Sequence, residues 1–138
     1  MIHLYTAPSC TSCQKAKRWL EDHNLEYQLH HLLYEPLSDR EIKHILYLSE
    51  EGIDSLLSPH TKAYQNIAAQ IELFSLSEMF DLIRKEPTMI RKPILFDEKR
   101  LVIGYNEEEI RCFLPKEESR RAMRKLEELL FLIDQENG

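Results

Sequence analysis

The spacing of apolar residues changes period several times along the chain, and each change predicts an element. Ile2 to Thr6 reads as a short strand, and Ala7-Pro8-Ser9-Cys10 breaks it before a helical pattern that begins near Thr11 or Ser12 and runs to about His23. After a turn around Asn24, Glu26 to His31 alternates, with Tyr27, Leu29 and His31 on one face, which predicts a second strand. A β-α-β opening of this kind predicts a parallel strand pair. From Pro36 the texture turns helical: Ile42, Ile45, Leu46 and Leu48 form a stripe, Gly52 breaks it, and Leu56-Leu57-Ser58-Pro59 turns the chain. Lys62 to Ile67 predicts a further short helix, and Leu76, Met79, Phe80 and Ile83 mark another that ends before Pro87.

Strands resume at Ile94-Leu95-Phe96 and Leu101-Val102-Ile103, and the fully charged Asp97-Glu98-Lys99-Arg100 between them has the length and polarity of a hairpin loop. Glu107 to Phe113 then predicts a short helix with Asn106 as its N-cap and Pro115 as its stop. A β-α-β start with a β-β-α finish predicts an α/β, thioredoxin-like mixed sheet of four strands. On this division residues 1–34 and 88–115 form the core, 35–87 an inserted helical lobe and 116–138 a C-terminal helix or tail. In that last segment Ala122, Leu126, Leu129, Leu130 and Ile133 make a helical stripe that needs a cover. Docking on its own domain is one reading, and ordering on a partner is the other.

Composition narrows the function classes. The chain has 138 residues and 16.4 kDa, 43% hydrophobic and 30% charged, which suits one globular core with at most an appendage. With 18 basic and 24 acidic residues the net charge is −6, so no global field draws the chain to DNA or to an anionic membrane. Contact with nucleic acid has to be local or borrowed from a partner. The start has no basic region followed by an apolar one, and no stretch has the length of a membrane span, so a soluble, unexported, cytoplasmic protein is expected.

The three cysteines, Cys10, Cys13 and Cys112, do not make a disulfide framework for a secreted mini-domain, and a reducing compartment fits them better. Cys10 and Cys13 form a CxxC directly after a strand and at a helix entrance. There, free backbone N–H groups and the positive end of the macrodipole favour a thiolate, and one helical turn lets the two sulfurs meet. Redox chemistry is the leading reading, with an inert buried pair or a metal site as alternatives. A zinc site would recruit His30 and His31, but adjacent residues on a strand point to opposite faces. His3, His23, His44 and His60 have no ligand spacing and read as surface or partly buried histidines. Cys112 reads as a small core residue, or else as a resolving thiol. Pro93 is placed either as a cis proline facing the cysteine pair or as a plain strand-starting trans proline. Arg91 and Lys92 before it are cations that could favour the thiolate, or two solvated charges.

Taken together, YTAPSCTSCQKAKRWLE, RKPILFDEKRLVIGYNEEEIRCFLP and the Glu50-Glu51-Gly52 break resemble the Spx family of redox-sensing transcriptional regulators, in the arsenate-reductase-like branch of the thioredoxin-like fold. The resemblance runs from Met1 to about Pro115. It implies a non-enzymatic global regulator, without a cofactor, that binds the C-terminal domain of the RNA polymerase α subunit and changes promoter use under thiol stress. Promoter DNA would be met only in complex with polymerase. It further implies a disulfide switch at Cys10 and Cys13, a partner surface at Gly52, a switch-coupled cation at Lys92 in place of the usual arginine, and a DNA contact at Lys62. Gly52 also reads as a helix C-cap requiring positive φ, a compatible role. Family members are handed to the ClpXP protease with an adaptor, although Asp134 to Gly138 lacks the small apolar ending associated with that fate. The runner-up is a thiol oxidoreductase of arsenate-reductase or glutaredoxin type. In arsenate reductases a nucleophilic cysteine matches Cys10 and arginines bind the oxyanion, whereas this chain has His60, Lys92 and Gly104-Tyr105 at the matching places.

Overall fold

A computed structural model describes residues 1–137, apart from the side chains of residues 116–119, 121, 122 and 137. Ala122 of the C-terminal stripe and Gly138 therefore lie outside the described residues. The strands β1 (Ile2–Thr6), β2 (Tyr27–His31), β3 (Ile94–Phe96) and β4 (Leu101–Ile103) form one sheet in the order β2-β1-β3-β4. β1 and β2 are parallel, joined through helix α1 (Thr11–Asp22), and the other two pairings are antiparallel. This is the mixed four-stranded sheet expected, with β2 beginning at Tyr27 rather than Glu26.

Alternation along the strands divides the core in two. Leu4 and Leu95 face α1 and pack with its Ala16 and Leu20 and with Ile110 and Phe113. Tyr5, Ile94 and Phe96 face the other way, onto Ile42 and Ile45 of α2 (Asp39–Leu48) and Met79, Phe80 and Ile83 of α4 (Leu76–Lys85). Both helices start at a capping box: Ser38 with Glu41, and Ser75 with Glu78, each serine accepting from the N3 backbone while the glutamate accepts from the cap N–H. Arg84 of α4 pairs with Asp39 of α2 and with Asp81, tying the two helix ends together. Between them lies α3 (Lys62–Ile67), capped by Thr61.

The short helix before Pro115 is a 3-10 helix, Glu109–Phe113, which starts two residues later than the spacing predicts. Asn106 does cap the N–H groups of Glu108 and Glu109, but five residues ahead of a proline are too few for a regular i to i−4 ladder. The C-terminal segment forms α5 (Lys116–Asn137), yet it does not dock on its own domain. Met123, Leu126, Leu129, Leu130 and Ile133 remain 49–58% exposed and belong to neither core. The sheet has no face left for them, because α1 covers one side and α2 with α4 the other. Among the described residues, no helix is long and apolar enough to cross a membrane.

Candidate functional site

The end of β1 delivers the chain to the cysteines. Ser9 takes a left-handed φ of 58°, and Cys10 returns to an extended conformation as the N-cap of α1. The Cys13 N–H donates to Cys10 Sγ at 3.2 Å, and the two residues, with Cα atoms 5.2 Å apart, form a disulfide. The sulfurs are not equivalent: Cys13 is buried against the helix, whereas Cys10 is half-buried at the mouth. A reductant therefore reaches Cys10 first. Once reduced, Cys10 is also the sulfur that a backbone donor and the helix dipole stabilise as a thiolate.

The pair opens on a cavity of about 220 Å³ lined also by Thr6, Gln14, Lys17, Leu29 and His31. His31 reaches it because the parallel register sets Thr6 beside His31, with His31 Nδ1 3.4 Å from Thr6 Oγ1. Lys17 arrives by lying one turn beyond Cys13 on α1. Spacing alone does not single out Lys17, and it offers His31 only as a zinc ligand beside His30. The alternation of β2 had put His31 on the Leu29 face, but only strand pairing brings that face to the cysteines. His30 points to the opposite side, where its Nδ1 donates to Glu35 Oε2 at 2.7 Å and its Nε2 lies 3.0 Å from His3 Nδ1. The two neighbouring histidines thus serve different surroundings.

The Lys92–Pro93 peptide is cis. Lys92 lines a different cavity, of about 470 Å³, together with His60, Thr61, Arg91 and Gly104. The positions that resemblance matched to the arginines of arsenate reductases, His60, Lys92 and Gly104, thus meet around one space. Its donors are poor for an oxyanion. Burial pulls the Lys92 ammonium below the usual lysine range, and Arg91 commits its Nε to the Leu57 carbonyl at 2.9 Å.

Gly52 opens a 3-10 turn, Gly52–Ser55, with φ of 69°. It is not the cap of α2, as expected from the sequence; Ser49 ends that helix in an extended conformation. Positive φ is required instead by a small knot, in which Ser49 Oγ accepts from the N–H groups of Glu51 and Gly52 and Ser55 Oγ donates to the Gly52 carbonyl. The knot holds Glu50 and Glu51 at the rim of a cavity of about 380 Å³ shared with Arg91 and Glu109. Nearby on α2, Tyr47 is 85% exposed. Lys62 is exposed at the first position of α3. Cys112, expected in the core, is exposed on the 3-10 turn, where Ile110 and Phe113 take the inward positions. Partial desolvation leads in raising its thiol above the ordinary cysteine value, while Arg100 pulls the other way, so it is not an activated thiol.

Residues 5–113 match the ArsC family. Over 116 residues the chain is 53% identical to the global transcriptional regulator Spx of Lactiplantibacillus plantarum, covering 84% of this chain and 88% of that one. The chain belongs to the Spx family. A second Spx global transcriptional regulator, from Bacillus subtilis, is 47% identical over the same 84% of this chain and 88% of its own. The fold is shared more widely: a Staphylococcus aureus protein solved by solution NMR superposes with a TM-score of 0.71 at 20% identity, covering 80% of this Spx-family chain and 96% of the other. The Spx relatives are named as regulators, not as enzymes.

Proposed function

We propose that this protein is a cytoplasmic, redox-sensing global transcriptional regulator that acts on RNA polymerase through the C-terminal domain of the α subunit. The observation that carries the reading is the Cys10–Cys13 disulfide at the entrance of α1, in a chain 47–53% identical to global transcriptional regulators. Oxidation forms one S–S bond and sends two electrons and two protons from the paired thiols to the oxidant. The change begins at the helix entrance and its cavity, which His31 and Lys17 line. Lys92, beside Pro93, is the cation through which the state of the switch reaches the rest of the molecule.

The knot at Gly52 presents the partner surface. Its acidic rim at Glu50 and Glu51 and the exposed ring of Tyr47 supply charge and an aromatic anchor. With a net charge of −6, DNA affinity comes from the complex, with Lys62 as the local contact to promoter DNA. Turnover by the ClpXP protease with an adaptor would act from the C-terminal end. A reductase reading is disfavoured by the single desolvated lysine and the committed Arg91 in the cavity where an oxyanion would sit.

Calorimetric titration with the polymerase α C-terminal domain, once under reductant and once after diamide oxidation, tests partner and switch together. Binding is expected, with affinity that differs between the two states. Absence of binding in both states would overturn the polymerase reading, and arsenate turnover coupled to a thiol reductant would establish the runner-up.

A further inference from the structure

Helix α5 is the largest feature that the proposed function leaves unused. Its apolar residues fall in a pattern: Met123, Leu126, Leu130 and Ile133 are spaced three, four and three apart, which places them on one seam, and Leu129 widens it. All five are about half exposed, both faces of the sheet are already covered, and among the described residues none of the five belongs to a core. Phe131 and Leu132 lie off the seam by helical register and take no part in it.

The charges point to the occupant. The first half of the helix carries Lys116, Arg120, Arg121, Arg124 and Lys125 against Glu117 and Glu118, and the second half carries only acidic residues, Glu127, Glu128, Asp134 and Glu136. Glu117 and Glu118 suit the first turn of a lone helix, but the net order is the wrong one at the other end, where the macrodipole favours basic residues and the last turn has none. It is the right one beside a helix of the same sequence running the other way. We propose that α5 pairs with the α5 of a second copy of this chain as an antiparallel two-helix seam. Met123 of one copy then faces Ile133 of the other, Leu126 faces Leu130, and Arg120 flanks Asp134, each pairing occurring twice by the two-fold symmetry. A parallel pair would set the basic halves together and the acidic halves together, a like-charge arrangement. The inference does not depend on the polymerase reading.

Sedimentation of the full-length protein under reducing conditions, across a micromolar to sub-millimolar range, tests it. A concentration-dependent dimer is expected, weakened as salt is raised. Leu126→Glu with Leu130→Glu is expected to leave a monomer whose near-ultraviolet circular dichroism matches the unaltered protein, since neither residue belongs to a core. Arg120→Glu and Asp134→Lys are each expected to weaken the dimer several-fold, and the two together to restore it. A protein that stays monomeric throughout, or a dimer indifferent to the leucine changes, would overturn the proposal. Failure of the double charge reversal to restore association would overturn the antiparallel register. Capture of α5 by a different protein while the chain itself stays monomeric would also overturn it.

Discussion

Single residues here separate effects that are usually confounded. Gly52 has a left-handed φ of 69°, yet a Cβ built on it meets nothing within 4 Å. Any side chain there is charged the backbone cost alone, about 1–2 kcal/mol. Gly52→Ala and Gly52→Arg are therefore expected to lose the same stability in denaturant titrations. If the arginine variant then binds the polymerase domain far more weakly than the alanine variant, occlusion of the surface is the cause, and equal binding by both would remove Gly52 from the interface. The His3–His30–Glu35 chain makes a second residue-scale prediction. With Glu35 accepting from His30 Nδ1–H, His30 Nε2 accepts from His3 Nδ1–H. Burial first, then the neighbouring His30, holds His3 below its ordinary value, with the N-terminus and His44 adding to this and Glu41 opposing it. The folded state thus takes up the His3 proton later than the unfolded state does. Its contribution to stability is complete above about pH 6.5 and is lost as pH falls through the lowered value. Chemical denaturation midpoints are expected to drop from neutral to mildly acid pH, and His3→Gln to flatten that slope; an unchanged slope would assign the pH dependence elsewhere.

At the scale of elements, what was legible depended on length and period. α1, α4 and the four strands span enough residues, or alternate cleanly enough, to declare themselves. The 3-10 turns Gly52–Ser55, Ile71–Leu73 and Pro87–Met89 do not, because three or four residues carry no period. The cysteine pair was legible because its chemistry is local to one helix turn. His31 at the same cavity was not, because its place depends on β1–β2 register, a long-range property. The α5 stripe shows the limit from the other side: amphipathicity states that a surface must be covered and says nothing about which body covers it. Stability at this scale rests partly on the capping boxes. Ser38→Ala and Ser75→Ala are each expected to cost about 1 kcal/mol, since each removes an acceptor for a helix N–H and releases the matching glutamate. Denaturant titration of the single and double variants checks this, and near-additive losses are expected because each cap serves its own helix end.

The sheet carries a core on each face, and its alternating strands contribute side chains to both. Phe113 closes the α1-side core two residues before Pro115, and α5 begins at Lys116 with none of its described residues in either core. The boundary between what stabilises the fold and what does not thus falls within a few residues. Phe113→Ala is expected to cost about 3–5 kcal/mol, as a large aromatic lost from a close-packed site. Truncation after Pro115 removes far more apolar surface, and among the described residues of α5 none is buried, so in dilute solution it is expected to leave the denaturation midpoint almost unchanged. At high concentration the comparison should diverge. A full-length chain paired through α5 gains stability by mass action, and a truncated one does not. A midpoint that falls on truncation even at high dilution would mean that α5 packs on its own domain in solution, and both the open helix and its pairing would have to be given up.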